Sequence, residues 1–329
     1  MILRELPDLP PRPLTRSNAQ FRADFYARWG QENAIVSGRS RHAEYASLTQ
    51  TLSIKMARGG SETYEVGKRR LRVDDDSYLI LNEGQTYSSV LQSDREAHSF
   101  CVFFRPGMGD EVLGALSAPL SRAADEGAQC ARRKSQFAEN LRSHDHVVTL
   151  ALTQLARSAC AGIDHADELE EALQNLLQRM IGAEHRLHSA ERLITSVKAA
   201  TRAELLRRIN WAADFICSNY ANPITLDDMA AAASLSKFHL VRLFRQIHSV
   251  SPHRFLINKR LAAAGRLLDR ADFDLGEVAR LAGFGTRWSL FRHLRRTTGE
   301  GGKALRHTRD PLAVVAAASK RAANKKRVR

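Results

Sequence analysis

Long apolar runs are missing from this sequence. No stretch approaches the ~18–20 residues that a membrane-spanning helix needs, so no membrane partner is expected. The opening, MILRELPDLPPRPLTRS, has no apolar core of the ~7–15 residues that marks a signal peptide, and export is not expected. Cysteine is scarce: Cys101, Cys130, Cys160 and Cys217 lie 29, 30 and 57 residues apart. The absence of C-x-x-C or C-x-H spacing among them argues against a zinc ribbon or redox pair, and they are expected as small buried residues in a reducing cytosol. The chain also lacks a phosphate loop of the form GxxxxGK[ST] and a G-x-S-x-G elbow, so neither nucleotide-dependent work nor serine hydrolysis has its signature here.

What is abundant is positive charge, and it is unevenly placed. The 329 residues carry 50 Lys+Arg against 36 Asp+Glu, a formal +14. Residues 1–202 hold 26 basic and 26 acidic side chains, whereas 203–329 hold 24 basic and 10 acidic. The whole excess therefore falls in the last part, which suggests a neutral module joined to one that meets a polyanion. The length is enough for two domains, each with its own core.

Residues 1–20, with Pro7, Pro10, Pro11 and Pro13, read as an irregular leader. From Ala34 to Phe104 short β-rich runs follow: Leu48, Leu52, Ile54 and Met56 near alternation, then Tyr64 and Val66 facing Leu71 and Val73 across Gly67-Lys68. Tyr78–Leu81 and Phe100–Phe104 are apolar runs stopped by Asn82-Glu83-Gly84 and Arg105-Pro106-Gly107. This pattern predicts an antiparallel β-sandwich or small barrel within residues 21–185. Helical spacing appears over 141–160 and 166–181, for example Leu169, Leu173, Leu176, Leu177 and Met180. Such a stripe fits a lid on the β domain and a self-association surface equally well. A linker helix region over 186–205 then leads to the basic domain, 206–308, and a basic tail, 309–329, is expected to be disordered and to supplement DNA binding.

Within the basic domain one pattern occurs twice. Thr225 can cap a helix that carries Asp227 and Asp228 in its first turn, with Leu226, Met229, Ala230 and Ala233 inward. After a short turn Ser236 can cap a second helix with Leu240, Leu243 and Phe244 inward and Lys237, Phe238, Val241, Arg242 and Arg245 outward. Fifty residues on, Asp274–Ala282 is a short helix and Gly283-Phe284-Gly285 a turn. TRWSLFRHLRR follows, with Leu290, Phe291 and Leu294 inward and Arg287, Trp288, Ser289, Arg292, Arg295 and Arg296 outward. Two short helices, a tight turn and a basic outer face are what insertion into a major groove needs. The helix from Pro252 between the copies would hold them apart, and two such helices on one face of B-DNA sit ~34 Å apart.

At these residues, LSKFHLVRLFR, SPHRF, KRLAAAGRLL and EVARLAGFGTRWSLFRHLRRTTG, the chain resembles the DNA-binding domain of AraC/XylS-type transcription regulators over roughly a hundred residues. It departs from them at Ser249 and Gly302, where the family usually has Gly and Pro, and at Trp288 and Leu290, in place of Ser and Phe. The resemblance implies base contacts from Phe238, Val241 and Arg242 in the first unit and from Arg287, Trp288, Ser289 and Arg292 in the second. Arg242 and Arg292 have the fork that takes guanine O6 and N7 together. Phe238 and Trp288 can press on thymine methyls, or else complete the core. Ser236, Lys237, Arg245, Thr286, Arg295 and Arg296 are assigned to phosphates.

The family often carries an N-terminal cupin-like barrel for a small effector or for dimerisation, and DDSYLILNEGQTYS resembles its strand-turn-strand. Tyr64, Tyr78, Tyr87 and Arg95 are the candidate effector pocket, with Tyr45 and Phe103 nearby; aromatic residues there serve equally as packing. The β region offers only His42 and His98 as cupin-type metal ligands, His144 and His146 at i, i+2 diverge on a helix, and His185 and His188 lack an acidic partner, so no metal or cofactor is expected. The chain is thus expected to be a bacterial, cytoplasmic, nucleoid-associated regulator and not an enzyme. It would bind double-stranded promoter DNA, a small-molecule effector and, as an activator, RNA polymerase, and act as a homodimer. A catalytic cupin with a DNA-binding appendage, and a structural protein binding DNA by charge alone, are the competing readings.

Overall fold

A computed structural model describes residues 2–3, 27–117, 134–161, 166–189, 194, 198–268 and 273–298. The tail at 309–329, most of the leader, Cys130 and Gly302 lie outside them. The chain is α+β and divides into two compact units, Met1–Arg192 and Leu193–Arg329.

In the first unit eight strands join one sheet: β1 (Ile2–Leu3), β2 (Ala34–Thr49), β3 (Ser53–Arg58), β4 (Glu62–Val66), β5 (Arg69–Val73), β6 (Ser77–Leu81), β7 (Thr86–Phe103) and β8 (Leu141–Ser143). The long β7 organises it. β2 pairs along its whole length on one side; on the other, β3 takes its second half and β4 its first, with Tyr64 opposite Ser89 and Lys55 opposite Cys101. β4 and β5 form a hairpin on the predicted Gly67-Lys68 turn, Gly67 supplying φ +60°. The sheet does not close: β5 pairs only with β4, and β6 pairs with β3 and β8. The expected sandwich or closed barrel is therefore an open sheet among the described residues. It is also not wholly antiparallel. Ile2-Leu3, inside the segment expected to be irregular, pairs parallel with Ile35-Val36 because Leu3 finds a buried place beside Ala34 and Val36.

One sheet face, bearing Ile35, Ile54, Met56, Tyr78, Ile80, Phe100 and Val102, is covered by helices. These are α1 (Met108–Ser117), α2 (Val148–Ala161) and α3 (Ala166–Ser189). The α3 stripe of Leu173, Leu176, Leu177 and Met180 is buried in this core, so it serves as the lid of the two readings left open above. The other face carries Ala57, Tyr64, Val66, Leu71, Val73, Leu79, Leu81 and Tyr87. With both faces covered, β6 is buried at all five positions, which is why SYLIL reads as a run and not an alternation. A buried Arg142–Glu184 ion pair ties β8 to α3, and the Glu184 carboxylate also accepts from the Ala138 N–H at 3.0 Å.

Residues 141–160 do not form the single helix expected. Asp145 interrupts it: its Oδ1 accepts from the N–H groups of Val147 (2.8 Å) and Val148 (2.6 Å), starting α2 there. His144 is left in the preceding loop against the Tyr78 ring, and His146 is exposed. Of the cysteines, Cys101 is buried and Cys217 half-buried, but Cys160 is exposed on α2, contrary to expectation.

The second unit is helical: α4 (Ala199–Asn219), α5 (Leu226–Ala232), α6 (Lys237–His248), α7 (Pro252–Leu268), α8 (Leu275–Leu281) and α9 (Arg287–Thr298). The stretch expected as linker, 186–205, contains the end of α3 and the start of α4. Ile209, Ala212, Ile216, Met229, Leu240, Phe244, Leu256, Leu261, Val278, Leu290 and Leu294 share one core. Arg260 on α7 donates from Nε to the Tyr220 carbonyl and from Nη2 to that of Asn222, both at 2.7 Å. Gly283, at φ +82°, sits so close that an added Cβ would come within 2.5 Å of the Tyr220 oxygen. Ser249 ends α6 at φ +59°, a left-handed site where its Cβ is strained.

Two stability outcomes are expected. Gly283→Ala should cost about 2 kcal/mol or more, and Ser249→Gly should add about 0.5 kcal/mol, both read by thermal unfolding. Burial, with the Arg58 charge nearby, pushes the His144 imidazole down to about 4, while its ordinary value is about 6.5. The unfolded chain therefore takes up the proton first, so this group's stabilisation is intact above pH ~6.5 and is lost as pH falls toward ~4. His144→Gln should flatten stability over that window by about 2–3 kcal/mol; an unchanged acid limb would refute the assignment.

Candidate nucleic-acid interface

Each presenting helix of the second unit is started by a capped turn. Thr225 and Asp228 form a reciprocal box at α5, and Asp274 and Glu277 do the same at α8. Ser236 Oγ accepts from the His239 N–H at 3.3 Å to start α6, and Thr286 Oγ1 accepts from the Ser289 N–H at 3.2 Å to start α9. α5 and α8 end alike: the Leu235 N–H reaches the Ala230 carbonyl at 3.0 Å and the Phe284 N–H that of Ala279 at 2.8 Å.

The equivalence is finer than a fifty-residue repeat. Thr225 matches Asp274, Ala233 matches Ala282 and left-handed Ser234 matches left-handed Gly283, all at a spacing of 49. Beyond the turn Ser236 matches Thr286 and Leu240 matches Leu290, at 50. The second turn thus holds one more residue, Gly285, whose φ of +72° is glycine's territory.

The inner faces are as expected, with Leu240, Leu243 and Phe244 buried on α6 and Leu290 and Leu294 on α9, and Phe291 only half-buried. On the outer faces Lys237, Arg242, Arg245, Arg287, Arg292, Arg295 and Arg296 are exposed, as are Ser236 and Thr286, while Val241 and Ser289 are half-buried. Phe238 is 77% and Trp288 73% exposed, so neither ring completes the core. Lys237 pairs with Asp227 at 3.0 Å across the first turn, an exposed contact of small energetic weight.

The spacing of motifs did not reveal that basic groups at the start of α7 lie near α9. Burial and then the charges of Arg292, His253, Arg296 and Arg254 hold the His293 imidazole below its ordinary range, which places those five basic groups together. Only the fold brings His253 and Arg254 to α9, so no local signal announced them.

The candidate effector residues do not share one place. Tyr64 and Tyr87 do, with ring centroids 5.9 Å apart on the sheet face away from the helices. Tyr78 lies on the opposite face, its hydroxyl donating to Asp145 at 3.4 Å, and Arg95 is exposed. Beside Tyr64 and Tyr87 the structure brings buried Lys55, Glu62, Ser89, Ser99 and Cys101. A signal for Lys55 was present: a lysine in the middle of the apolar run SIKMA. Among the described residues no group of three or more His, Cys, Asp or Glu gathers as a metal site.

Comparisons with known proteins bear on the second unit first. Residues 229–318 match a helix-turn-helix domain model. The chain is 24% identical to the probable transcriptional regulator LumQ of Photobacterium leiognathi over 236 residues, 71% of this chain and 83% of that relative. It is 32% identical to the lactose operon transcription activator of Staphylococcus xylosus over 76 residues, 23% of this chain and 27% of that one. Among solved structures, apo ToxT from Vibrio cholerae aligns over 82% of this chain and 96% of its own at 11% identity, with a TM-score of 0.33.

Proposed function

From a C-terminal region that carries an AraC-type helix-turn-helix domain, we propose that this chain is a sequence-specific transcription regulator that reads two successive major-groove segments with α6 and α9. One observation carries the two-helix reading: large rings, Phe238 and Trp288, stand exposed at matching positions of two capped helices, each beside an arginine one turn on. A folded chain gains by covering such rings, and two equivalent exposed ones flanked by cations suit a polyanion with apolar base edges. Arg242 and Arg292 take guanine edges, with Val241, Arg287 and Ser289 completing the base contacts. Lys237, Arg245, Arg295 and Arg296 hold phosphates together with the free N–H groups after Ser236 and Thr286. Lys237 would exchange its Asp227 partner for a phosphate.

The first unit is the regulatory part in this reading, a cupin-like sensor and dimerisation module that acts on operator binding through a small effector. RNA polymerase is the further partner where the chain activates. An open sheet with helices on one face and a second apolar cluster on the other is compatible with that role, and Tyr64 and Tyr87 are the members of the expected pocket that remain together.

Selecting bound sites from random duplexes with the full chain tests the proposal. Arg242→Ala and Arg292→Ala should each cost about 1–3 kcal/mol and relax preference at base pairs about ten apart. Phe238→Ala and Trp288→Ala should weaken binding without lowering the melting temperature, since both rings are exposed. Removing residues 310–329 should weaken all sequences alike and reduce the salt slope. Both arginine variants losing the same base pair would overturn the two-groove reading.

A further inference from the structure

The two turns that lead into α6 and α9 are both tied to α4. In the first turn Ser234 stands at φ +51°, and its carbonyl accepts from Arg208 Nη1 at 3.1 Å. Arg208 is itself held on α4 by Glu204, whose Oε1 accepts from its Nε at 2.7 Å. In the second turn the equivalent residue, Gly283, meets the end of α4 instead. A Cβ placed on it would come within 2.5 Å of the Tyr220 oxygen and 2.9 Å of Arg260 Nε. Arg208 and Tyr220 are separated by roughly 18 Å of helix. Matching left-handed positions of the two turns thus reach one helix at two places.

The two ties are unequal. Arg208 keeps 35% of its side chain exposed and gives Ser234 one bond, so water competes for it. Arg260, half-buried, gives two charge-assisted bonds of 2.7 Å, to the carbonyls of Tyr220 and Asn222. Asn222 stands just ahead of the Thr225 cap that starts α5. One guanidinium from α7 therefore grips the entry to the first helix pair and touches the turn of the second. The apolar core that these helices share is non-directional and leaves small sliding cheap. A planar fork held by two carbonyls fixes direction as well as distance.

We propose that Arg260, seconded by Arg208, is the positioning residue that fixes the separation of α6 and α9, and with it the number of base pairs this chain accepts between its two recognised segments. Neither guanidinium is assigned to DNA. Two binding elements on a stiff mount reinforce each other strongly at one spacing and hardly at all at others; on a loose mount they reinforce each other weakly over several spacings. The specificity that Arg260 confers is therefore for distance and not for a base. This assignment rests on the two-groove reading above and names the residue that sets its geometry.

The test takes the duplex recovered by selection and adds or removes one or two base pairs between its segments. Each added pair moves the second segment by about 3.4 Å and turns it by about 35°. The full chain's affinity for each duplex is divided by its affinity at the selected spacing. The parent should lose at least about tenfold at a wrong spacing, the worth of one guanine contact. Arg260→Gln, and Arg260→Lys with one nitrogen in place of the fork, should bind the selected spacing about three- to tenfold more weakly. Their further loss at wrong spacings should stay under about threefold. Unfolded chain cancels from a ratio taken within one preparation, so a residue that only stabilised the fold would leave the parent's ratio in place. Arg208→Ala removes one longer bond at a half-exposed site and keeps the test open if the Arg260 variants do not fold; it should move the ratio the same way by a smaller factor. The assignment is overturned if every variant that folds keeps the parent's ratio. A parent indifferent to spacing would instead remove the two-groove reading, and this assignment with it.

Discussion

The second unit depends on the junction built around Arg260. This guanidinium, half-buried on α7, satisfies two carbonyls at the end of α4, those of Tyr220 and Asn222. Partial burial lowers its basicity, and the two charge-assisted bonds offset that desolvation. Asn222 leads directly into the cap at Thr225 that starts the first helix pair, while Gly283, in the turn of the second pair, packs against the same Arg260 and Tyr220 atoms. Both pairs are therefore referenced to one point. Under the two-groove reading, a flexible connection would let each helix find DNA separately, whereas a shared junction would set the pair before any partner arrives and lower the ordering cost of binding.

Much of this unit was legible in the sequence because its signals are local. Thr225 and Asp274 announce helix starts through their own side chains, Ser236 and Thr286 through spacing, and Leu240, Phe244, Leu290 and Leu294 through period. The register change from 49 to 50 escaped because one glycine more in a turn leaves both hydrophobic patterns intact. His253 and Arg254 escaped for the opposite reason: their neighbours are distant in sequence.

The first unit was less legible, since a sheet's pairing is non-local. Alternation located β3, β4 and β5, and apolar runs located β6 and the end of β7, but nothing in a strand says which half of an eighteen-residue neighbour it will meet. Tyr78 and Tyr87 look alike in sequence and lie on opposite faces. The interruption of the helix expected over 141–160 turned on a single carboxylate, Asp145, accepting backbone N–H groups ahead of α2. Glu62 becomes conspicuous only once burial is known, because an exposed strand glutamate is ordinary, whereas Lys55 carried one signal in its place within the apolar run SIKMA.

The two units place charge in opposite ways. On α6 and α9 the cations are exposed to water, where charge costs little. Inside the sheet Lys55 and Glu62 are buried, and each is held by hydroxyl groups, Lys55 by Tyr87 and Glu62 by Ser89 and Ser99. The outer helices are also not copies of each other: beyond the shared Arg242 and Arg292, Phe238 stands against Trp288, Lys237 against Arg287, and His239 against Ser289. With an added residue in the second turn as well, equivalent side chains project from unlike frames. Under the two-groove reading, the halves of a site recognised by one chain share a preference at the arginine positions and differ around them, so a single chain orients itself on DNA without needing a second copy to break the symmetry.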